Sequence, residues 1–149
     1  MFNKQKVIDQ LKIDEGVVNE IYLDHLGYPT FGIGHLILES DPEHGKDVGT
    51  PVSEDRVLEA FDHDLDITVN ECRVLFPDFD EKLDEVQEIL INMMFNMGRT
   101  RLSKFKKFIG ALNDKNYNEA ADQMMDSKWY HQVGNRSVRL VERMRALSE

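Results

Sequence analysis

Two carboxylates that lie close in the sequence, in unlike local settings, are the residues best placed to do chemistry. Glu15 precedes Gly16, a combination typical of a helix end, and Asp24 lies in a hairpin-like segment interrupted by Gly27, with Thr30 just beyond. Such a pair can divide the work of glycoside hydrolysis. One carboxyl group stays protonated as the general acid, while the other is ionised and directs a water molecule.

Each of these residues also has an ordinary structural explanation. Glu15 alone could be a surface acid at a helix end, Asp24 is a common turn residue, and Thr30 is a favoured strand residue. Their combination favours the catalytic interpretation. His35 has no His, Cys or Asp partner at the spacing of a metal site, so we expect a hydrogen-bonded structural histidine and predict no metal and no cofactor.

The elements that must position these residues follow from periodicity and turn signals. Residues 3–13 predict a short amphipathic helix, residues 17–38 a hairpin or small three-stranded sheet, and residues 39–52 a loop rich in Pro, Gly and acids. Ser53 is typical of an N-cap, and the apolar stripe that follows it predicts a long helix ended by Phe76-Pro77. Cys72 on that stripe is expected to pack as a small apolar residue.

The remainder of the chain predicts helices. Residues 80–97 are apolar on more than one face and stop at Gly98, which is typical of a central core helix. Three shorter helices are predicted after Thr100, Asn116 and Asn135. We therefore predict an α+β fold in one domain, residues 1–149. A small antiparallel sheet lobe (about 14–52) and a helical lobe (about 80–149, with helix 3–13) are joined by a linker helix (about 54–74), with a cleft between the lobes.

The charge distribution limits the class of partner. Residues 1–98 hold 7 basic and 22 acidic residues, a balance of -15, whereas residues 99–149 hold 11 and 6, a balance of +5. The acidic part argues against nucleic acid, whose phosphates it would repel. Charged side chains throughout residues 1–15 predict no signal peptide, and no apolar run is long enough for a transmembrane segment or stable membrane association.

Several blocks of sequence resemble the phage-type lysozymes, in particular those of T-even phages. In chain order they are Asp14-Glu15-Gly16, residues 27–36, residues 91–98, Ser127-Lys128-Trp129-Tyr130 and Asn135-Arg136. The resemblance implies a lysozyme-like fold and hydrolysis of the β-1,4 bond between N-acetylmuramic acid and N-acetylglucosamine in peptidoglycan, with inversion at the anomeric carbon. The segment between Ser40 and Ser53 is shorter than in the T-even enzymes.

The resemblance also implies roles for individual residues. Glu15 would be the general acid, Asp24 the second carboxylate that activates water, and Thr30 a residue that holds this water. Supporting roles would fall to Arg136, which would orient Glu15, and to His35, which would pair with Asp64 across the lobes. The residues that would line the saccharide cleft are Leu36, Phe95, Phe108 and Gln123, and Phe108 stands where the T-even enzymes carry a small hydroxyl residue.

The expected setting is that of a phage endolysin acting on peptidoglycan glycan strands. The protein would be a monomer that stays in the host cytoplasm until a separate holin-like protein permeabilises the membrane. Two other functions remain open at this point. A lytic transglycosylase would need a glutamate but neither Asp24 nor Thr30, and a catalytically silent wall-binding or tail-associated module would need none of the three.

Overall fold

The computed structural model describes residues 1–148 and shows an α+β fold. In chain order its elements are α1 Lys4–Glu15, β1 Val18–Leu23, β2 Pro29–Gly32, β3 His35–Leu36, α2 Glu54–Leu75, a 3-10 turn Phe79–Glu81, α3 Asp84–Leu102, α4 Lys106–Asn113, α5 Tyr117–Met125, α6 Lys128–Gln132 and α7 Asn135–Ala146. The three strands form one antiparallel sheet in the order β1-β2-β3. The predicted fold class is confirmed.

The chain divides into two compact units, and the boundary between them in the sequence lies within α2. Residues 4–67 form one unit, and residues 1–3 with those from 68 onward form the other. We expected the first helix to belong with the helical lobe, but α1 is grouped with the sheet. The single-domain arrangement stays a prediction.

The sheet unit is built around two short turns and a returning segment. β1 and β2 pair through Tyr22 and Thr30, and β2 pairs with β3 through Phe31 and His35. On the other side of β1, residues 49–52 lie alongside the strand after a run of turns. Ile21 donates its amide to the carbonyl of Thr50 at 3.0 Å, and a bridge joins Glu20 to Pro51. The segment predicted as a loop is therefore tied to the sheet along its last residues.

α2 has the boundaries that the sequence predicts. The Ser53 hydroxyl accepts the Arg56 amide at 3.1 Å, and the helix ends at Leu75, before Phe76-Pro77. The predicted apolar stripe is buried along its length: Val57, Phe61, Leu65, Val69 and Cys72. Burial raises the pKa of the Cys72 thiol to about 12, which is the behaviour of a packed cysteine rather than a nucleophile.

α3 is the central helix of the second unit, but its boundaries differ from the prediction. Phe79–Glu81 forms a 3-10 turn followed by extended backbone at Lys82, so the helix begins at Asp84 rather than at Asp80. Gly98, at φ +78°, breaks the helix at the predicted position, and a further short helical segment continues to Leu102. Leu102 therefore ends α3, and the helix predicted after Thr100 begins only at Lys106. Apolar periodicity does not distinguish a 3-10 turn from the first turn of an α-helix, so the prediction placed the start of α3 too early.

The last three helices begin at identifiable caps. The Asn116 side chain accepts the Glu119 amide at 3.2 Å at the start of α5, as predicted. Ser127 caps α6, a five-residue helix that the periodicity did not reveal. Gly134, at φ +59°, precedes α7. No helix of residues 1–148 combines the length and the apolar content needed to cross a lipid bilayer.

Candidate functional site

Glu15 is the last residue of α1, and a turn of the sheet lies against its carboxyl group. Gly16 closes the helix at φ +75° and donates its amide to the Lys12 carbonyl at 3.0 Å. Gly34, in the tight turn between β2 and β3, approaches so closely that an added Cβ would lie 2.8 Å from Glu15 Oε2. The half-buried carboxyl group is therefore positioned by a helix end on one side and by a glycine main chain on the other.

Asp24 forms the turn between β1 and β2. Its Oδ1 accepts the amides of Leu26 and Tyr28, both at 2.9 Å, and its own amide donates to the Tyr28 carbonyl at 3.0 Å. Within residues 1–148, Oδ2 has no hydrogen-bond partner. One oxygen therefore fixes the orientation of the carboxylate, and the other remains available to a water molecule.

Thr30 and Tyr22 are paired across β1 and β2. Thr30 is buried, and its hydroxyl donates to the Tyr28 carbonyl at 2.9 Å, so its lone pairs remain available to accept a hydrogen bond. Burial and the charges of Glu15 and Asp24 raise the pKa of Tyr22. Both carboxylates thus act electrostatically on one side chain within the unit of residues 4–67. The sequence analysis did not single out Tyr22, although it is the second residue before Asp24.

His35 lies between two carboxylates in the same unit. Its Nδ1 is 2.6 Å from Asp64 Oδ2, and its Nε2 is 2.9 Å from Asp41 Oδ2. Burial lowers the pKa of His35, but hydrogen bonds and charges from Asp64 and Asp41 outweigh this effect and raise it. The sequence analysis named Asp64 and missed Asp41, because nothing in the local pattern of the segment 39–52 marks one acid among several.

Arg56 extends this network. Its guanidinium donates to Glu43 at 2.9 and 3.0 Å, to Asp41 at 3.1 Å and to Glu59 at 2.8 Å. Arg56 lowers the pKa of Glu43, and burial raises it by a smaller amount. The network fastens the segment 39–52 to the first turns of α2.

Arg136 and Phe95 belong to the other unit. Arg136 is buried, and its guanidinium donates to Asn92 Oδ1 at 2.8 Å and to the Asn92 carbonyl at 3.2 Å. Phe95 is half-buried on α3. The contact between Arg136 and Glu15 that the family resemblance implies stays a prediction.

The remaining predicted saccharide residues differ in exposure. Leu36, on β3, is 46% exposed, whereas Phe108 is only 1% exposed and meets Phe105 edge-on at a centroid distance of 6.4 Å. Gln123, on α5, donates to Glu119 at 2.7 Å. Phe105, Phe108 and Gln123 line one surface cavity of about 340 Å³. Phe108 is therefore part of its floor and presents little surface of its own.

The described part of the chain, residues 1–148, contains no cluster of three or more His, Cys, Asp or Glu side chains that could hold a metal ion. The arrangement that remains is two carboxylates, a buried hydroxyl and a phenol on one helix end and one hairpin. Residues of these types can serve as an acid, a base and a water-holding group.

Comparison with known proteins gives these residues a family context. The family model described as phage lysozyme matches residues 12–146. A probable T4-type lysozyme 1 of Dictyostelium discoideum is 34% identical, with 89% of each chain covered. The pre-baseplate central spike protein Gp5 of Enterobacteria phage T4 is 28% identical over 89% of this chain and 26% of its own length. The peptidoglycan hydrolase gp36 of Pseudomonas phage phiKMV is 26% identical over 97% of this chain and 15% of its own length.

Proposed function

Because this chain belongs to the phage lysozyme family, we propose that it hydrolyses bacterial peptidoglycan. The bond cleaved is the β-1,4 linkage from N-acetylmuramic acid to N-acetylglucosamine, so the enzyme is a muramidase, a glycoside hydrolase. The observation that carries this proposal is the pair of carboxylates at the end of α1 and in the first hairpin, held in different ways within one compact unit.

The proposed roles follow from these settings. Glu15 gives its proton to the glycosidic oxygen as the bond to the anomeric carbon breaks. Asp24, oriented through Oδ1, uses Oδ2 to accept a proton from a water molecule that attacks the opposite face of the sugar, with the Thr30 hydroxyl oxygen accepting a hydrogen bond from the same water. The reaction inverts the anomeric configuration, since water rather than a carboxylate forms the new bond.

The other site residues have supporting roles in this proposal. Arg136 orients Glu15, and the His35–Asp64 pair stabilises the sheet unit. Leu36, Phe95 and Gln123 contact the saccharide, while the predicted contact by Phe108 is not kept, because this side chain is only 1% exposed and forms part of the cavity floor. The chain works as a single lysozyme domain and a monomer. Its setting is that of a phage endolysin, released to the wall by a holin-like protein.

The test is mass spectrometry of purified peptidoglycan after digestion by the native chain and by two variants. Glu15→Gln removes the proposed acid, while Asp14→Asn removes the neighbouring carboxylate on the same helix and serves as the matched control. We expect reducing-end N-acetylmuramic acid from the native chain and from Asp14→Asn, and none from Glu15→Gln.

Other products would identify the alternatives. Anhydro-muropeptides from the native chain would indicate a lytic transglycosylase. Wall binding without any product would indicate a silent binding module. Undiminished hydrolysis by Glu15→Gln would exclude Glu15 as the acid.

A further inference from the structure

Another cavity, of about 200 Å³, has a lining that combines charged, polar and apolar side chains. These side chains come from the segment that leads into α3, within residues 78–86, and from the junction of α4 and α5, within residues 112–117. They all belong to the second compact unit, whereas the two candidate carboxylates belong to the first. Among the described residues, none lines both this cavity and the one of about 340 Å³. The cavity therefore has no residue in common with the candidate site.

A buried ammonium group is part of this lining. The side chain of Lys82 is only 8% exposed, and its Nζ lies 5.4 Å from the centre of the Phe76 ring. Within residues 1–148, the one hydrogen bond of this ammonium goes to Asp78 Oδ2, at 3.3 Å. An ammonium has three N–H donors, and a buried donor without an acceptor costs free energy. A ligand oxygen in the cavity would therefore complete the hydrogen bonding of Lys82.

The charges around the cavity cancel. Asp78 and Glu81 are acidic, and Lys82 and Lys115 are basic. Glu81 and Lys115 are exposed, and neither side chain has a hydrogen bond or an ion pair among the described residues. An anionic ligand would meet repulsion from the carboxylates, and a cationic ligand would meet repulsion from the ammonium groups. The lining therefore favours a neutral ligand whose groups both donate and accept hydrogen bonds, as hydroxyl groups do.

Apolar and amide groups complete the lining. Val86 and Leu112 are buried, and Leu83 is 51% exposed. The phenol of half-buried Tyr117 and the amide of Asn113 have no hydrogen-bond partner within residues 1–148. Apolar surface beside groups that bind hydroxyls suits a pyranose ring, which has a C–H face and a polar edge. Pockets for drug-sized ligands have about 300–1,000 Å³, so this smaller cavity accommodates about one ring.

We infer that this cavity is a further saccharide-binding site, which holds one N-acetylated sugar ring of a glycan strand without cleaving it. Lys82 donates to a ring hydroxyl, Glu81 accepts from another, and the Asn113 amide pairs with the acetamido group. The choice of an N-acetylated sugar rests on the proposed function, because it is the sugar of the same polymer. A strand bound here stays close to the enzyme between cleavages, which raises its effective concentration.

The experiment is an NMR titration of the native chain with the disaccharide of N-acetylglucosamine. Cellobiose, which has the same linkage without acetamido groups, is the matched control ligand. Each backbone amide reports separately, so binding in this cavity and binding near the candidate carboxylates are recorded in one titration. We expect amides within residues 78–86 and 112–117 to shift with a Kd of about 1 mM, an ordinary affinity for one ring. Cellobiose should bind there about tenfold more weakly.

Three variants test the lining. Lys82→Met keeps the apolar stem and removes the ammonium, while Lys46→Met makes the same change at an exposed lysine outside the cavity. Glu81→Gln/Asn113→Ala alters two exposed side chains that have no partner among the described residues, so its fold is retained. Lys82→Met and the double variant should each raise the Kd of the cavity shifts about tenfold, since each loses hydrogen bonds to the ligand. Lys46→Met should leave this Kd at the native value.

The outcomes separate this inference from the proposed function. The titration does not depend on turnover, so cavity shifts in a chain that releases no product would support the inference while the proposed function fails. Product release without cavity shifts would overturn the inference and leave the proposed function intact. Equal cavity shifts with cellobiose, or an equal Kd in Lys82→Met, the double variant and Lys46→Met, would also overturn it.

Discussion

At the scale of single residues, contacts with the main chain position the two candidate carboxyl groups. Asp24 uses one oxygen to accept two amides of its own turn, so the orientation of its carboxylate is part of the hairpin. Glu15 is held differently, by close approach of the Gly34 main chain. The carboxylates differ in their immediate neighbours, and the proposed division into one acid and one base requires such a difference.

Asp24→Asn separates the catalytic from the structural role of this residue. The amide oxygen of Asn can still accept from Leu26 and Tyr28, but the side chain can no longer take a proton from water. We expect kcat to fall by about a hundredfold or more with little change in the free energy of unfolding. Asp24→Ala loses both roles and is less stable by about 1 kcal/mol. Kinetics and urea unfolding measure the two effects, and a native-like kcat in Asp24→Asn would exclude Asp24 as the base.

Gly34→Ala tests the contact with Glu15. The new Cβ meets the movable end of the Glu15 side chain, so the carboxyl group shifts while the fold remains. Gly45→Ala is the matched control: its φ of +82° is equally unfavourable for alanine, and an added Cβ meets nothing within 4 Å. Both variants should lose about 1 kcal/mol of stability. Only Gly34→Ala should lower kcat, by about a hundredfold for a displacement near 1 Å. Equal kcat values in the two variants would contradict this explanation.

At the scale of elements, the segment 39–52 is held at both ends. Its last residues pair with β1, and its first residues are fastened to β3 and α2 by His35, Asp41 and Arg56. Burial raises the pKa of Asp41, but the Leu38 amide, His35 and Arg56 outweigh this effect and lower it. The position of the segment therefore depends on interactions between charged side chains.

The raised pKa of His35 makes the stability of this unit depend on pH. The folded protein binds the His35 proton more tightly than the unfolded chain, whose histidine has a pKa of about 6.5. The stabilisation is complete below that value and is lost as pH rises through the folded pKa. We expect His35→Gln to destabilise the protein more at about pH 6 than at about pH 10, because only at the lower pH is the native histidine charged between its carboxylates.

Urea unfolding at both pH values measures this difference. His63→Gln, an exposed histidine on the same helix as Asp64, is the control and should show none of it. Asp41→Asn removes one of the two charges that raise the pKa of His35. The stabilisation by the charged histidine should therefore be lost at a lower pH than in the native protein. An equal destabilisation by His35→Gln at both pH values would show that the imidazole acts only through its neutral hydrogen bonds.

At the scale of the whole molecule, the charge is unevenly distributed. Under the proposed function, the balance of -15 in residues 1–98 would repel a carboxylate-rich wall, while the +5 of residues 99–149 includes Lys104, Lys106 and Lys107, which border the cavity of about 340 Å³. An anionic surface would therefore be repelled by residues 1–98 and attracted by the basic side chains of residues 99–149. Salt screens the long-range repulsion more effectively than contacts made at close range.

Activity on cell walls should therefore rise from very low to moderate salt. The Debye length falls from about 30 Å at 0.01 M to about 10 Å at 0.1 M, which removes most of the repulsion from a distant surface. Turbidity clearing of wall suspensions across this range is the measurement. A steady fall in activity with added salt would show instead that the basic residues dominate docking.

The sequence alone determined the features that depend on neighbouring residues. The α+β class, the three-stranded sheet, and the limits of α2 at Ser53 and Pro77 all follow from periodicity and caps. Glu15 and Asp24 could be named from the sequence as candidate acid and base because their motif is local, and these roles stay predictions. The start of α3 at Asp84 was not predictable, since the 3-10 turn before it is a small conformational choice that periodicity does not encode, whereas the break at Gly98 was predicted.

Only the tertiary structure decided which distant residues meet. Asp41 reaches His35, and Gly34 reaches Glu15, through the path of the chain rather than through sequence spacing. Likewise, Lys106 and Lys107 of α4 share a cavity with Gln123 of α5 only because these two helices pack together. Local patterns act over one or two turns of chain, whereas these contacts depend on how every element packs, and packing is a property of the whole fold.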